Sequence, residues 1–373
     1  MTTITVVTAF NPKNAGMYSV DLAAEQFLRS RGYSIRMVRT QEKKTWFKPR
    51  FGRQRFEVIR NVKQLFKTDI LIYWGDFTTN VLYGLHDFPL RDLAFGYNET
   101  QNAAFESWVN LFLPHRQNRN TAVYSIGQNF HSLGHSLNSL SAELQLNLES
   151  RYRHSFDAII PRDDISLLAL NELGLKDSGV SISQGLDTAM LIDHHALYPT
   201  LKSVKPSDTF AYVFGRSGFH QLPELLHEVE ERSGLKAVDL PFWHSLRASK
   251  ADRQMQHMLE VIASAKFVLT DTYHCAINAI TMGKPVFCLG INQAEQSVTV
   301  GEPKKRILFR MMGLKQNYLE FDEPDLDKNT RKFITDRIMK RLGEHSSDVK
   351  IIYDIKSKFR DSVIELLRTR PTQ

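Results

Sequence analysis

The chain has 373 residues and a mass of 43.0 kDa, more than one hydrophobic core usually organises, so we expect two domains. A composition of 42% hydrophobic and 24% charged residues excludes extensive disorder and a fibrous repeat. The formal charge of +7 favours an anionic partner, although charge alone does not choose among a small acidic ligand, nucleic acid and a membrane surface.

Strand and helix signals alternate through the first half of the chain. The predicted strands are 2–10, 33–38, 69–74, 122–126, 156–160 and 180–183, and the predicted helices include 20–31, 141–152 and 164–173. Apolar strands that alternate with helices are typical of a parallel sheet with helical crossovers.

The alternation stops at residues 198–208, which are rich in Pro and Ser and form the best candidate linker. It then restarts, with predicted strands at 209–214, 236–240 and 266–269 and predicted helices at 222–232 and 249–265. Residues 325–368 have the charged, amphipathic pattern of helices. We therefore predict an N-terminal domain over 1–200, a second domain over 201–325 and a C-terminal helical segment over 326–373.

The predicted fold class is α/β, with two Rossmann-like lobes around a central cleft, as in the GT-B architecture. Ligands of such folds bind at the carboxyl ends of the strands, so we expect functional residues in the loops that follow strands. The chain has no apolar run long enough to span a bilayer and no signal peptide at its N-terminus, and its cysteines number two. These features favour a cytoplasmic protein without a disulfide framework or a metal site rich in cysteine.

The segment from Leu269 to Ala276 is the sharpest candidate for chemistry. A predicted strand breaks there into polar residues, and a helix begins near His274. The free N–H groups of a helix N-terminus attract phosphate or carboxylate and disfavour a protonated imidazole, so a neutral His274 could act as a base. A histidine that only satisfies backbone groups at a helix cap fits the same pattern.

The segment TDTYHCAINAITMGKPVFCLG resembles the signature of the polysaccharide pyruvyl transferase family, which usually reads Ser/Thr-Asp-Arg-Leu-His-Gly, then a helix, Gly-x-Pro and a strand. Further similar pieces follow the family order. They are IIPRDDISLLALNELGL, SQGLDTAML, the loop that contains Asn14 and Gly16, and the basic run before Met312. The resemblance spans most of the chain.

The resemblance implies a transferase that moves pyruvate from phosphoenolpyruvate onto two sugar hydroxyls as a ketal. His274 matches the family histidine expected to transfer protons. No metal or organic cofactor is implied, since phosphoenolpyruvate is a co-substrate. The acceptor would be a sugar of a surface polysaccharide or of its lipid-linked precursor.

One departure puts the donor in question. Thr272 and Tyr273 stand where the family has Arg and Leu, and threonine cannot replace a bidentate arginine as a clamp for an anion. Arg216, which follows the strand 209–214, is the leading substitute, although a solvated or ion-paired arginine is an equal reading. Lys305 and Arg306 are weaker candidates for the same donor site.

The candidate acceptor residues lie in the N-terminal half. Asn14 and Gly16 match the family loop, while Gly75, Asp76, Gly127 and Gln128 directly follow two predicted strands. Glycine permits close approach of a ligand to the backbone, and the polar neighbours could bind sugar hydroxyls, although a plain turn is the favoured explanation of the pairs Gly75–Asp76 and Gly127–Gln128.

The stretch 43–67 interleaves basic and aromatic residues. It favours peripheral contact with an anionic membrane, and a helix with a solvated basic face is the alternative. No nucleic-acid recognition motif occurs, so nucleic acid is not an expected partner. Three functions stay open: the pyruvyl transferase, a glycosyltransferase that uses a nucleotide sugar, and a glycan-binding protein without catalysis.

Overall fold

The computed structural model describes residues 1–9, 13–40, 50–115, 120–131, 133–292, 301–344 and 348–369. The chain forms two compact units. Unit 1 comprises Met1–Asn11, Val20–Leu191 and Lys358–Gln373, and unit 2 comprises Pro12–Ser19 and Ile192–Ser357.

This division differs from the predicted domains in three respects. The boundary falls after Leu191 rather than at residue 200, and a short N-terminal piece, Pro12–Ser19, belongs to unit 2. Residues 326–373 are not a separate segment, because Ile334 and Ile338 lie in the hydrophobic core of unit 2. Composition did not reveal these differences, because each depends on which hydrophobic core a short segment contacts.

The strands of unit 1 are β1 (Thr3–Thr8), β2 (Ser34–Arg39), β3 (Arg50–Phe51), β4 (Gln54–Arg55), β5 (Glu57–Val58), β6 (Ile70–Asp76), β7 (Ala122–Gln128), β8 (Ala158–Pro161) and β9 (Ser181–Ile182). Its helices are α1 (Ala15–Arg29), α2 (Val62–Leu65), α3 (Phe88–Ala94), α4 (Gln101–Phe112), α5 (Leu133–Asn138), α6 (Ala142–Ser155) and α7 (Asp164–Glu172). The first residues of α1, through Ser19, count with unit 2.

Unit 1 is built on a parallel sheet in the order β5-β2-β1-β6-β7-β8-β9, with β3 and β4 paired antiparallel beside it. The central strands β6 and β7 are buried along their whole length, as expected for a sheet covered by helices on both faces. Side chains of one sheet face and its helices form a continuous core that includes Tyr73, Trp108, Phe112 and Tyr152.

The strands of unit 2 are β10 (Thr209–Val213), β11 (Lys236–Asp239), β12 (Val268–Thr270), β13 (Val286–Ile291) and β14 (Tyr318–Phe321). Its helices are α8 (His194–Leu197), α9 (Leu222–Ser233), α10 (Ala251–Ser264), α11 (Tyr273–Thr281), α12 (Gly301–Met311), α13 (Lys328–Leu342) and the first part of α14 (Asp348–Arg368).

The sheet of unit 2 is also parallel, in the order β11-β10-β12-β13-β14. Phe210 lies parallel to Phe267 at 4.9 Å between ring centroids, and Phe267 meets Phe287 edge to face. The crossover helices therefore pack on an aromatic layer, and the carboxyl ends of β10, β11 and β12 lie side by side at one edge.

Two local differences from the sequence prediction bear on the site. The expected linker contains a short 3-10 helix at Pro199–Ser203. Strands β6 and β7 continue through the pairs Gly75–Asp76 and Gly127–Gln128, which were expected to lie in loops. In the described part of the chain, helices of membrane-spanning length and hydrophobicity are absent.

Candidate active site

His274 lies in the first turn of α11, directly after β12, as the sequence predicts. The helix begins after Thr272, an extended N-cap residue, and its buried face, which includes Cys275 and Asn278, holds it against the sheet. The His274 side chain is half-buried and meets the Tyr273 ring edge to face, with 5.1 Å between the centroids. The imidazole therefore stands at the carboxyl edge of the unit 2 sheet, beside free N–H groups of a helix N-terminus.

Gly16 approaches the His274 ring so closely that only glycine fits there. A Cβ atom on Gly16 would lie 2.4 Å from Cβ and 2.8 Å from Nδ1 of His274. The Asn14 side chain shapes this approach, because its Oδ1 accepts a hydrogen bond from the N–H of Gly16 at 2.8 Å. The loop that resembles the family's Asn-x-Gly segment thus packs on the family histidine.

This contact revises the expected place of Asn14 and Gly16. They were predicted as acceptor ligands of the N-terminal domain, whereas they belong to unit 2 and position His274. The sequence places both residues far from His274, so no local pattern indicated the contact.

A buried hydrogen-bond network fixes the other side of this loop. Asn278 donates from Nδ2 to the His274 carbonyl at 2.7 Å and to Ser19 Oγ at 3.1 Å. The Ser19 hydroxyl donates to the Gly16 carbonyl at 2.7 Å. The amide oxygen of Asn278 pairs with Nε2 of buried His194 at 2.8 Å. Because amide oxygen only accepts, His194 carries its proton on Nε2.

Asp271 organises the loop that follows β10. One oxygen of its buried carboxylate accepts hydrogen bonds from the backbone N–H groups of Gly215, Arg216 and Ser217, at 3.1, 2.7 and 2.7 Å. Successive N–H groups that converge in this way form an anion-binding nest, and here a carboxylate of the chain itself occupies it. The loop 214–217, which is the predicted donor loop, is therefore held in one conformation by its neighbour strand.

Arg216 is exposed at the tip of this loop, at the carboxyl end of β10. Within the described residues its guanidinium has no hydrogen bond or ion pair, whereas its backbone is fixed by Asp271. The alternative of an ion-paired arginine thus finds no partner in the described chain. An unpaired arginine on a fixed loop next to β12 can receive a carboxylate or a phosphate.

Thr272 is buried and uncharged, so it does not supply the positive charge of the family arginine. Its hydroxyl donates to Asp271 at 3.0 Å and lies 3.5 Å from Nε2 of His244. The residue that replaces the family arginine thus supports Asp271. Its predicted contact with a donor stays a prediction, as does that of Tyr273.

The two basic residues of α12 have different environments. Lys305, a weaker candidate for the donor site, is buried and donates from Nζ to Ser217 Oγ, the Asp271 carbonyl and the Leu289 carbonyl, at 3.0, 3.1 and 3.1 Å. Arg306 is exposed and forms an ion pair with Glu320 at 2.8 Å. Lys305 therefore supports the Asp271 loop from behind, and neither side chain adds a free cation to the site.

His244 is a site residue that the sequence analysis missed. It follows β11, its half-buried ring adjoins Gly215 and Thr272, and its Nδ1 is buried without a hydrogen-bond partner in the described part of the chain. Burial, and then the charge of Arg216, lower the pKa of His244 below its usual value. The signal was available, because His244 follows a predicted strand as the other site residues do.

In unit 1, Gly75 and Gly127 serve packing. Both adopt left-handed backbone conformations, with φ of +70°. Added Cβ atoms would lie 2.8 Å from Thr188 Oγ1 and 2.5 Å from Thr188 Cγ2, respectively. The two glycines thus admit the Thr188 side chain against the ends of β6 and β7, and the predicted sugar contact has no support from this geometry.

Asp76 and Gln128 are also buried. Asp76 adopts a left-handed φ of +62° and forms an ion pair with Arg162 at 3.5 Å. The amide nitrogen of Gln128 donates to the Gly75 carbonyl, and its amide oxygen accepts from the N–H of Thr79. They support the ends of β6 and β7, and acceptor contacts by their side chains stay predictions.

Next to them, Asp163 caps α7 and binds Nε2 of His131 at 2.9 Å. Burial raises the pKa of Asp163, but the hydrogen bond and charge of His131, the charge of Arg162 and the backbone N–H of Ser166 together hold it well below its usual range. Asp163 therefore fixes the start of α7 within unit 1.

Groups of three or more His, Cys, Asp or Glu side chains arranged to hold a metal ion are absent from the described residues. Part of the predicted membrane-contact stretch, residues 43–49, lies outside the described residues.

Comparison with solved structures shows the class of fold. An alpha-glucosyltransferase, solved with UDP-glucose and DNA containing an abasic site, has a TM-score of 0.50 and 11% identity over 99% of each chain. A Medicago truncatula protein solved with UDP-glucose has a TM-score of 0.47 and 11% identity, over 97% of this chain and 94% of that one. A functionally uncharacterised Klebsiella pneumoniae protein has a TM-score of 0.44 and 16% identity, over 85% and 93%. The chain is thus similar to proteins with two Rossmann-like α/β units.

The family follows from sequence. The family model "Polysaccharide pyruvyl transferase" matches residues 22–293, more than half of the chain. The chain belongs to this family and is a transferase. A search of curated proteins found no significant match.

Proposed function

We propose that this transferase moves pyruvate from phosphoenolpyruvate to two hydroxyls of a sugar in a surface polysaccharide or its lipid-linked precursor. The observation that supports the proposal most strongly is the position of His274. The family histidine stands in the first turn of α11, at the carboxyl edge of the sheet, and the Gly16 backbone packs against its ring.

The reaction defines what each group must do. A proton is added to the methylene carbon of phosphoenolpyruvate, one sugar hydroxyl attacks the adjacent carbon, and the second hydroxyl replaces phosphate. Each hydroxyl loses a proton, of which one balances the proton added to the methylene carbon and the other leaves with the phosphate, so one group that accepts and returns protons serves both stages. His274 fills this role, and the N–H groups of α11 with Arg216 bind the anionic donor.

The test measures phosphate release from phosphoenolpyruvate in the presence of a panel of hexopyranosides. We expect His274→Gln to lower the rate about 10²- to 10⁴-fold. His227→Gln is the matched control, because His227 is an exposed histidine on α9 of the same unit, and it should leave the rate unchanged. Arg216→Gln should raise the KM for phosphoenolpyruvate more than it lowers kcat.

Other outcomes would assign a different function. Release of nucleoside diphosphate from a nucleotide sugar, with none of phosphate from phosphoenolpyruvate, would replace the pyruvyl donor with a glycosyl donor. Tight glycan binding without turnover of either donor would leave a binding protein. An equal rate in wild type and His274→Gln would remove His274 from the mechanism.

A further inference from the structure

A cavity of about 740 Å³ opens beside α10 in unit 2 and is separate from the residues assigned to the donor and to His274. Its lining comes from Arg253 to Glu260 on α10 and from the loop that joins β11 to this helix. The volume lies within the range of sites that bind small organic molecules, roughly 300–1,000 Å³. Every lining residue belongs to unit 2.

The lining is strongly basic. Arg247, Lys250 and Arg253 are exposed around the cavity, and His257 lies one turn beyond Arg253 on the same helix face. Within the described residues these four side chains make no ion pair or hydrogen bond. Glu260 is the acidic residue of the lining, and its carboxylate accepts hydrogen bonds from Thr200 and Gln256, at 3.1 and 2.9 Å.

The position of these cations opposes the stability of the helix. Lys250 is the N-cap of α10 and makes no side-chain capping hydrogen bond, and Arg253 lies in the first turn, where Asp252 offsets only one of these two charges. Positive side chains repel the positive end of the helix dipole, where aspartate or serine would stabilise it. A local arrangement that costs stability without a structural partner is typical of a functional site.

Gln254 adds a directed hydrogen-bond donor. Only 7% of its surface is exposed, yet it lines the cavity. Its Oε1 accepts the backbone N–H of Arg247 at 2.8 Å, which orients the amide so that Nε2 is the atom left without a partner among the described residues. Phe242 contributes a half-buried aromatic surface beside these polar groups.

We propose that this cavity is a binding site for an organic phosphate, with a diphosphate held by Arg247, Lys250 and Arg253 and the attached group against Phe242. The lining carries three cations and one carboxylate, which is already hydrogen-bonded, so it favours a multiply charged anion. The Gln254 amide then donates to a phosphate oxygen. The proposal does not depend on the pyruvyl reaction. A nucleotide and a lipid-linked diphosphate share this chemistry.

The experiment is calorimetric titration of the full-length protein with inorganic pyrophosphate at low ionic strength. We expect saturable binding in wild type that weakens about tenfold or more in Lys250→Gln/Arg253→Gln, since each charge-assisted hydrogen bond contributes a factor of this order. Lys205→Gln is the control for charge, because Lys205 is exposed in the same unit and does not line the cavity. This control should retain wild-type affinity, and Arg216→Gln reports whether pyrophosphate binds at the donor loop instead.

Two results would overturn the proposal: no binding of pyrophosphate to wild type, or loss of binding in Arg216→Gln with retention in Lys250→Gln/Arg253→Gln. The second result would place the anion at the donor loop. Far-UV circular dichroism checks that each variant is folded. Uridine diphosphate and farnesyl diphosphate then distinguish the sources, because the one that binds more tightly than pyrophosphate identifies a nucleotide or a lipid carrier.

Discussion

The contact between Gly16 and His274 gives a prediction about one methyl group. Gly16→Ala places a Cβ atom within 2.4 Å of His274 Cβ, so the loop or the ring must move. We expect a loss of about 1–3 kcal/mol in the free energy of unfolding, as for other overpacked sites, together with a slower reaction. Urea denaturation measures the first effect and the phosphate assay the second.

Gly134→Ala is the control for this substitution, because a Cβ atom on Gly134 meets nothing within 4 Å. It should leave both quantities near their wild-type values. Equal stability of Gly16→Ala and wild type would show that the loop does not approach the ring this closely.

His244 gives a prediction about charge. The Arg216 guanidinium is one cause of the lowered pKa of His244, since two positive charges repel each other. In Arg216→Gln this repulsion is lost, so the pKa of His244 should rise toward its usual value, while burial keeps it below that value. An NMR titration of the histidine Cε1 protons measures the change, and an unchanged pKa would show that Arg216 lies too far away to act.

At the residue scale, the sequence predicted His274 and Arg216 because both follow strands whose apolar pattern is clear. It missed His244, although that residue also follows a predicted strand, and it misjudged Lys305. Lys305 is buried, and its ammonium group donates all three of its hydrogen bonds to groups inside unit 2. Which basic residue of a helix faces the core depends on the neighbouring strand, and a single sequence does not encode that contact locally.

At the scale of elements, the loop after β10 depends on the end of β12. Asp271→Ala removes the acceptor of three backbone hydrogen bonds, so the amide protons of Gly215, Arg216 and Ser217 should exchange with solvent at least tenfold faster. Asp271→Asn keeps one acceptor oxygen and should show a smaller increase. Hydrogen exchange followed by mass spectrometry or NMR measures both, and unchanged protection in Asp271→Ala would show that the loop holds itself.

The junction of α8 and α11 gives a pH dependence. Burial lowers the pKa of His194 to about 4, from its ordinary value of 6.5 in the unfolded chain. The unfolded state therefore binds the proton more tightly, so this group's contribution to stability is complete above pH 6.5 and is lost as the pH falls toward 4. The loss reaches up to about 3 kcal/mol.

Urea denaturation between pH 7.5 and 4.5 measures this loss. Other groups titrate in the same range, so the informative quantity is the difference between wild type and His194→Gln. The variant should lack this part of the pH dependence, because glutamine does not titrate, and identical slopes in the two proteins would contradict the assignment.

Most elements were predicted within a few residues, because their apolar periodicity is strong. The exceptions have local causes. Helix α1 begins at Ala15 rather than at 20, since the Asn14 side chain supports an earlier start. Strand β14 was missed because it is only four residues long and contains the charged residue Glu320. Strands β6 and β7 run into left-handed residues that sequence rules treat as turns.

At the scale of the whole molecule, the charge of +7 gives a prediction about membranes. We expect the protein to co-sediment with vesicles that contain phosphatidylserine at low salt, and to dissociate as the ionic strength rises and shortens the screening length. Vesicles of phosphatidylcholine alone are the control. Failure to bind anionic vesicles at low salt would remove the proposed peripheral contact.

The exchange of segments between the units has a consequence for synthesis on the ribosome. Residues 13–19 leave the exit tunnel long before Trp243 and His274, although the N–H of Ala15 donates to the Trp243 carbonyl and Gly16 covers the imidazole. Unit 2 therefore cannot finish folding until residues 192–357 have been synthesised and can pack against the early segment 13–19. A fragment that begins at residue 192 would lack this contact, so a fusion that joins residues 13–19 to Ile192 is the smaller piece to express.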